Sequence, residues 1–506
     1  MPQDGIRTAM GASLTGNAVM KVLFVYSLED IVDPLKPMEN MGEIQFGLSY
    51  LSAVLKKNGH DTKVAVVSEP MLKRKAGLLE GMIEEFRPGA VCFTAVATQY
   101  PLISAAAGLV KKSFPDVYTV IGGVHATLEP ESVIRDDFDA LCAGEGEYPL
   151  LELIRCLEKQ AEPSGIPNFW IKRGEIIERN GPRPFLENID ELPFPDREMW
   201  LPWIGVKKES IAFFTVLAGR GCPYQCTYCC NHALKKTAPG RYVRFRSPES
   251  ISDEIRQITS VYPGATDVFL EVETMAANKK WALDVCGRLR ELNATLEKPV
   301  QFGTNIRVTR NPDFGELFEG FRSANFKRIN IGLESGSERV RRDVLKRDYS
   351  NRDVIETVAL AREKGLKVCF FNLIGVPGET AADFKETVRI NRECLPNLHY
   401  NSIFYPYPGT DLHALCLEKN LLPGNLNTGL ERRKAFLDLP GFSRRRIMRG
   451  YIWFDFLAFR GKRPLLKVLG RVFMAWLRTR YTLYSIYRKL IRLPALKRVW
   501  TKMRSY

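Results

Sequence analysis

The stretch Ala218-Gly-Arg-Gly-Cys-Pro-Tyr-Gln-Cys-Thr-Tyr-Cys-Cys230 decides how the chain is read. It follows the apolar run Ile211 to Leu217, and its glycines (Gly219, Gly221) with Pro223 predict an irregular loop at a strand end. Cys222, Cys226 and Cys229 stand there as Cys-x-x-x-Cys-x-x-Cys. Three thiolates at this spacing can hold three irons of a 4Fe–4S cluster and leave the fourth iron open for substrate chemistry. Structural zinc is the competing reading; it needs four ligands, and Cys230 or His232 would supply the fourth. Disulfides are not expected, because no hydrophobic secretory leader precedes the chain and eleven cysteines are scattered over 506 residues, as in a reducing compartment. Cys92, Cys142, Cys156, Cys286, Cys369, Cys394 and Cys416 lie singly in apolar or helical stretches and read as buried thiols.

Outward from the loop, strand and helix patterns alternate in both directions. Upstream, Lys21 to Ser27, Thr62 to Val67, Ala90 to Ala95 and Tyr118 to Ile121 read as buried strands, with helices over Gly47 to Lys57 and Leu102 to Phe114. That order predicts an α/β fold with a doubly wound, Rossmann-like parallel sheet, its ligand crevice at the strand carboxyl ends where Gly122 and Gly123 fall. Asn168 to Glu178 reads as a hairpin turning at Arg173-Gly174 inside a proline-rich connector that packs between domains. Downstream, strands at Asp267 to Leu270, Gln301 to Thr304, Arg328 to Ile331, Lys367 to Leu373 and Asn401 to Phe404 fit a partial (β/α) barrel, and Ser247-Pro248-Glu249 caps a helix start. Gly221, Gly332 and Gly375 fall at or past strand ends, the face on which barrel enzymes carry catalytic loops. The expected organisation is a disordered leader over 1–20, a first domain over 21–160, a linker over 161–205, a barrel domain over 206–425 and a basic, aromatic-rich helical region over 426–506.

The net charge of +15 is unevenly placed. From Glu431 to Tyr506 there are 21 Lys or Arg against Glu431, Asp438 and Asp455, so the rest of the chain is slightly acidic. No run approaches the roughly 20 apolar residues of a membrane span. Trp453, Phe454, Phe456, Phe459, Phe473, Trp476, Tyr481, Tyr484 and Tyr487 interleave with bases, a composition shared by interfacial membrane helices and by nucleic-acid surfaces. Helices that cover the barrel and leave their bases in solvent are the third reading.

The cysteine loop, with Tyr228 before its last cysteine, resembles the radical S-adenosylmethionine (SAM) superfamily. That resemblance implies a free iron chelated by SAM, whose reductive cleavage gives a 5′-deoxyadenosyl radical. Gln45-Phe-Gly-Leu-Ser-Tyr-Leu51, Gly122-Gly-Val-His-Ala-Thr127 and Gly144-Glu-Gly-Glu-Tyr148 resemble the cobalamin-binding domain that precedes the barrel in one subfamily. Gly122, Gly123, His125, Gly144 and Glu145 are then the expected cobalamin-binding residues. The Asp-x-His-x-x-Gly motif is absent from this segment, so the corrin is expected to bind without histidine on cobalt. For SAM, the resemblance implies Tyr228 beside the cluster, Glu334 of Gly332-Leu-Glu-Ser-Gly-Ser337 on the ribose, Lys346 and Arg307 as cations for the carboxylate, and Gly375 and Gly378 beside adenine. Relatives carry paired aspartates where this chain has Glu271-Val-Glu273; Val272 replaces one, and Glu273 is retained as an acceptor for the SAM amino group.

The function so implied is a cobalamin-dependent radical SAM enzyme that methylates an unactivated carbon, with 4Fe–4S cluster, SAM and cobalamin as cofactors. A radical cyclase or rearrangement enzyme, and a membrane-associated iron–sulfur redox protein, are the alternatives. Expected partners are a small-molecule or lipid-like substrate and an external electron donor such as flavodoxin or ferredoxin. The expected location is cytoplasmic, with peripheral membrane contact through the basic tail preferred over nucleic acid, because neither resembling domain is a nucleic-acid module.

Overall fold

The computed structural model describes residues 19–490 apart from 29–32, 34, 75–76, 425–427 and 432. The expected leader lies outside the described residues but for its last two, as does the end of the basic tail. Seven strands build the N-terminal sheet: β1 (Lys21–Ser27), β2 (Asp61–Val67), β3 (Ala90–Thr94), β4 (Tyr118–Gly122), β5 (Ala140–Cys142), β6 (Phe169–Arg173) and β7 (Ile176–Arg179). Their order is β2-β1-β3-β4-β5-β6-β7. The first five pair in parallel, and β6 and β7 close the edge as an antiparallel hairpin. Val22 to Val25 and Ala90 to Phe93 are buried along consecutive positions, as strands covered on both faces require. The reversal of order around β1 and β3 opens a crevice at the carboxyl ends.

The connector behaves differently from a free linker. Its hairpin is β6 and β7 and extends the first sheet; only the stretch after it bridges the domains. There Trp200 Nε1 donates to Ser49 Oγ at 2.8 Å, Trp203 Nε1 to the Val64 carbonyl at 2.9 Å, and Arg197 Nη2 to the Thr215 carbonyl at 2.8 Å. Glu254, fully buried, is paired with both Arg197 and Arg246. Buried charge is tolerated when it is compensated in this way.

The second sheet comprises β8 (Phe213–Leu217), β11 (Asp267–Glu271), β12 (Gln301–Ile306), β13 (Phe326–Glu334), β14 (Lys367–Ile374) and β15 (Leu398–Ile403), while β9 (Gly219–Arg220) and β10 (Arg244–Phe245) form a short antiparallel pair at the root of the cysteine loop. The order β15-β14-β13-β12-β11-β8 is parallel throughout and does not close, giving the partial barrel. The helix Pro248–Val261 starts as predicted, with Ser247 Oγ accepting from the Ser250 amide at 3.1 Å. After the barrel come helices Arg444–Phe459, Leu465–Arg478 and Tyr481–Leu490. Among the described residues no helix is long and apolar enough to cross a membrane.

Candidate functional site

The cysteine loop leaves β9 through Gly221, whose φ of +83° and whose distance from the Tyr242 carbonyl leave no room for a side chain; a Cβ would stand 2.3 Å from that oxygen. Thr227 ties the loop to the barrel, donating to the Val344 carbonyl at 2.7 Å and accepting the Leu412 amide on its own carbonyl at 3.0 Å. Cys226 is the most buried of the three thiols, and two guanidiniums converge on it: Arg307 Nη1 at 2.7 Å and Arg347 Nη1 at 3.8 Å. Arg307 also lies 3.9 Å over the Tyr224 ring. Both guanidiniums are themselves buried, so this sulfur sits against two cations shielded from solvent. Burial pushes the Cys222 thiol up to about 11, whereas the Cys230 thiol, donating to Cys229, brings Cys229 down to about 6. His232 Nδ1 lies 3.0 Å from the Cys229 carbonyl and Nε2 2.8 Å from Asp411 Oδ1, so both ring nitrogens have partners other than the thiols.

Tyr228, Glu334 and Arg347 form one buried group. Arg347 Nη1 donates to Tyr228 Oη at 3.0 Å and lies 3.6 Å from Glu334 Oε1, and its Nη2 donates to the Gly332 carbonyl at 2.7 Å. Burial raises the Tyr228 hydroxyl well above its ordinary value, opposed by Arg347 and reinforced by Glu334. Glu334 reaches the group through a register shift between β13 and β14 at Gly332/Glu334 and a φ of +58°. Backbone strain of that kind concentrates where ligands bind.

Lys346 is not in this group. It is exposed, whereas the next residue, Arg347, is buried within the group. The chain between is irregular: Val340–Val344 is a π-helical turn, with the Leu345 amide bonded to the Val340 carbonyl, and Lys346 itself takes a left-handed φ of +54° before Arg347 enters the group. Gly375 and Gly378 mark the turn after β14, with φ of +84° and +77°. The buried Glu379 carboxyl accepts from the Gly375 and Val376 amides at 2.5 and 3.2 Å, and Arg339 donates to the Gly378 carbonyl at 2.9 Å. Glu273 is exposed at the mouth of the barrel.

Two cavities adjoin between the domains. One, of about 340 Å³, lies at the carboxyl ends of β3, β4 and β5 and is lined by Thr94, Gly122, Gly123, Gly144 and Glu145 among others. The other, of about 310 Å³, is bounded by Gly42, Ile44 and Phe46 on the N-terminal side and by Glu271, Glu273 and Asn305 on the barrel side. Phe46 and Leu217 line both. Burial pushes the Glu271 carboxyl up to about 7, against the Asn305 amide and with the Glu273 charge adding to it.

Glu145 serves two masters in this arrangement. It lines the first cavity, and it holds the domains together by accepting from Arg220 at 3.0 Å, from Arg244 at 2.9 Å and from the Leu186 amide at 2.9 Å. Burial opposes its charge; the Arg244 and Arg220 guanidiniums prevail and hold the carboxyl below its usual value. His125 does not line the cavity. Its ring sits 4.5 Å from that of Tyr100, and its amide donates to the Ala95 carbonyl. Arg347, Tyr224 and Glu271 were not singled out from sequence; for Arg347 the available signal was a second cation directly after Lys346.

Comparison with known proteins places both halves of this geometry. Residues 216–390 match the radical SAM superfamily, and residues 43–154 match the B12 binding domain. An uncharacterized methyltransferase of Pyrococcus horikoshii is 27% identical over 414 residues, covering 80% of this chain and 84% of its own length. The anaerobic magnesium-protoporphyrin IX monomethyl ester cyclase of Cereibacter sphaeroides is 25% identical over 378 residues, covering 72% of this chain and 59% of its own. Among solved structures, the radical SAM methyltransferase TsrM of Kitasatospora setae, with tryptophan substrate and aza-SAM bound, superposes with a TM-score of 0.62 at 17% identity over 79% of this chain and 76% of that one. The cobalamin-dependent SAM radical enzyme OxsB with aqua-cobalamin bound gives 0.65 at 15% identity over 95% and 76%. At such identities the two structures speak for the fold.

Proposed function

This chain belongs to the radical SAM enzymes that carry a B12-binding domain, and from that premise we propose that it is a C-methyltransferase acting on an unactivated carbon of a small-molecule or lipid-like substrate. Its cofactors are a 4Fe–4S cluster, SAM and cobalamin, and the residues present suit them. The loop offers three thiols with two buried guanidiniums at Cys226, and the cavity at the carboxyl ends of β3 to β5 has Gly47, Gly122, Gly123, Gly144 and Gly146 in its lining, where backbone can approach a ligand closely. When bound, these groups supply the reducing electron, the cleavable sulfonium and a methyl carrier. The chain's own work is to hold and screen them. Cys222, Cys226 and Cys229 would ligate the cluster, Arg307 and Arg347 would balance its charge and meet the SAM carboxylate, and Glu334 would accept from the ribose diol.

The single observation that carries methyl transfer is the pair of adjoining cavities sharing Phe46 and Leu217. A methyl donor held by one domain and a carbon held by the other need such a common boundary, since group transfer requires the reacting atoms to be brought together. The relative named as a methyltransferase supports the same reading, and the relative named as a cyclase supports its alternative, a cyclisation without methyl delivery. The test is to load the full chain with its cofactors under anoxic conditions, reduce it with flavodoxin or ferredoxin, and supply methyl-deuterated SAM with a small-molecule extract. Products carrying the intact labelled methyl group support methyl transfer. Unlabelled products altered only by loss of hydrogen favour the cyclase reading, and absence of 5′-deoxyadenosine favours a redox role.

A further inference from the structure

We propose that the outer face of the C-terminal helices is a docking surface for an anionic phospholipid bilayer, an inference that goes beyond the proposed reaction and does not depend on it. In the helix Leu465–Arg478, Val468 and Val472 are buried, and Arg471 Nε turns inward to Asp455 Oδ1 at 2.6 Å, so one side is committed to the body of the protein. The apolar residues do not end there. Leu465, Leu466, Leu469 and Phe473 are 55%, 84%, 39% and 53% exposed. Spacings of four and seven residues place them together on one side of the helix. In the next helix Leu483, Ile486 and Leu490, also exposed, repeat the pattern at three and four residues. Folding against the barrel explains the buried valines and, among the described residues, leaves these seven side chains exposed.

Charge selects the occupant. Exposed Arg460 and Lys462 precede the first stripe, and exposed Arg478 and Arg480 follow it, so cations bracket the leucines at both ends. From residue 456 to the end the sequence has 14 Lys or Arg and no acidic residue. A bilayer with anionic headgroups over hydrocarbon complements both features. Nucleic acid complements only the charge, because base stacking uses ring faces and the exposed stripe is mostly aliphatic. The aromatic residues here are largely engaged with one another: Phe473 stacks on Trp476 with centroids 5.8 Å apart, and Tyr484 on Tyr487 at 6.3 Å. Fourteen residues at about 1.5 Å each make a helix of roughly 21 Å, short of the ~30 Å hydrocarbon core, so the helix would lie in the interface rather than cross it.

The experiment is flotation of the full-length protein with vesicles of phosphatidylcholine alone or mixed with phosphatidylglycerol. Recovery is expected with the anionic vesicles and to fall as salt is raised, because exposed charges are screened over about 8 Å at physiological ionic strength. The double variant Leu466→Glu/Leu469→Glu should lose at least about tenfold in partitioning with an unchanged thermal midpoint, since each exposed leucine contributes to insertion. Lys462→Glu/Arg480→Glu should lose binding to the anionic vesicles as well, and carries the test alone should the leucine variant fail to fold. Wild-type protein that stays with the unbound fraction, or variants that float as wild type does, would overturn the proposal. Release of the protein from anionic vesicles by short single-stranded RNA, with tight RNA binding that survives Leu466→Glu/Leu469→Glu, would reassign the surface to nucleic acid.

Discussion

At the carboxyl ends of the N-terminal strands the residues that meet the cavity are Thr94, Gly122, Gly123 and Gly144; at the carboxyl ends of the barrel strands stand Arg307, Glu334, Arg347 and the cysteine loop. Both edges belong to parallel sheets, yet the strand ends of one carry glycines that leave room, while those of the other gather charged side chains around the cysteine loop. The first needs room and backbone, and its glycine turns are braced by a neutral hydroxyl: Thr127 Oγ1 donates to the Gly123 carbonyl at 2.9 Å and accepts the Gly144 amide at 3.1 Å, while the Glu145–Arg220 pair at its rim ties it to the barrel. The second needs charge balance, because a reduced cluster and a zwitterionic ligand bring charge into a region of low dielectric. The two edges should therefore fail differently, one when atoms are added and the other when charge is taken away.

Removing a proposed cluster ligand from the barrel side should give the largest effect. Cys226→Ala should abolish cluster incorporation, read as the iron-to-protein ratio and the visible absorption, and with it 5′-deoxyadenosine formation; Cys230→Ala should leave both in place. Next comes the charge beside that ligand. Arg347→Met removes the donor to Tyr228, the Gly332 carbonyl and Cys226 together, and groups that orient metal ligands are worth 10–100-fold. SAM cleavage should fall by about that factor, whereas Lys346→Met, one residue away and exposed, should change it less than about twofold. Equal losses for the two variants would remove the assignment of Arg347 to the site.

The N-terminal edge should break by addition. A Cβ at Gly123 would stand 2.6 Å from Thr94 Oγ1 and 2.9 Å from the Ala95 carbonyl, at a φ of +94° that L residues seldom adopt. Gly123→Val should cost about 1–3 kcal/mol of strain at the strand end and lower corrinoid retention, measured by absorbance after gel filtration, by at least about tenfold. Reductive SAM cleavage by the barrel should persist in the same preparation. His125→Ala, whose ring packs on Tyr100 outside the cavity, should retain corrinoid like the wild type.

The same contrast explains what could be read from the chain. The glycines of the N-terminal edge and the cysteines of the loop are local signals, because each fixes a turn or a spacing within a few residues; β1 begins and ends at Lys21 and Ser27, as the apolar run predicts. The connector hairpin was legible as a hairpin, but not as part of the first sheet, since the pairing of Ala140 with Ile171 is a tertiary fact. Lys346 and Arg347 show the limit more sharply. The family resemblance implies a cation here, yet which of the two turns inward depends on an irregular backbone, a π-helical turn followed by a left-handed residue, that leaves no mark in composition. Glu271 carries no such local signal, because a carboxylate at a strand end is ordinary until the facing domain encloses it.

The effect least tied to activity concerns how each edge holds its glycine turn, and it separates the two edges by pH. At the barrel edge Gly375 and Val376 are held by Glu379, which is buried, has no cation in hydrogen-bond contact among the described residues, and has its carboxyl pushed up to about 8 by burial, against the two amide bonds. A carboxyl raised in the folded state keeps its proton where the unfolded chain, at its ordinary 4.5, has lost it. The folded form thus binds more protons between those values, so stability falls as pH rises from 4.5 toward about 8 and is level outside that window. One such group contributes at most about 1.4 kcal/mol per pH unit. Glu379→Gln keeps an acceptor for both amides and cannot ionise, so the difference between wild type and variant in denaturant unfolding should grow in the variant's favour across that window. Thr127→Val at the other edge, where the brace is a hydroxyl, should lower stability by about 1–3 kcal/mol for its lost hydrogen bonds with no change of slope. A wild-type-minus-Glu379→Gln difference that is flat from pH 5 to 8 would mean that the carboxyl is already ionised in the fold, and the barrel edge would then hold its glycine turn with a charge rather than with a buried acid.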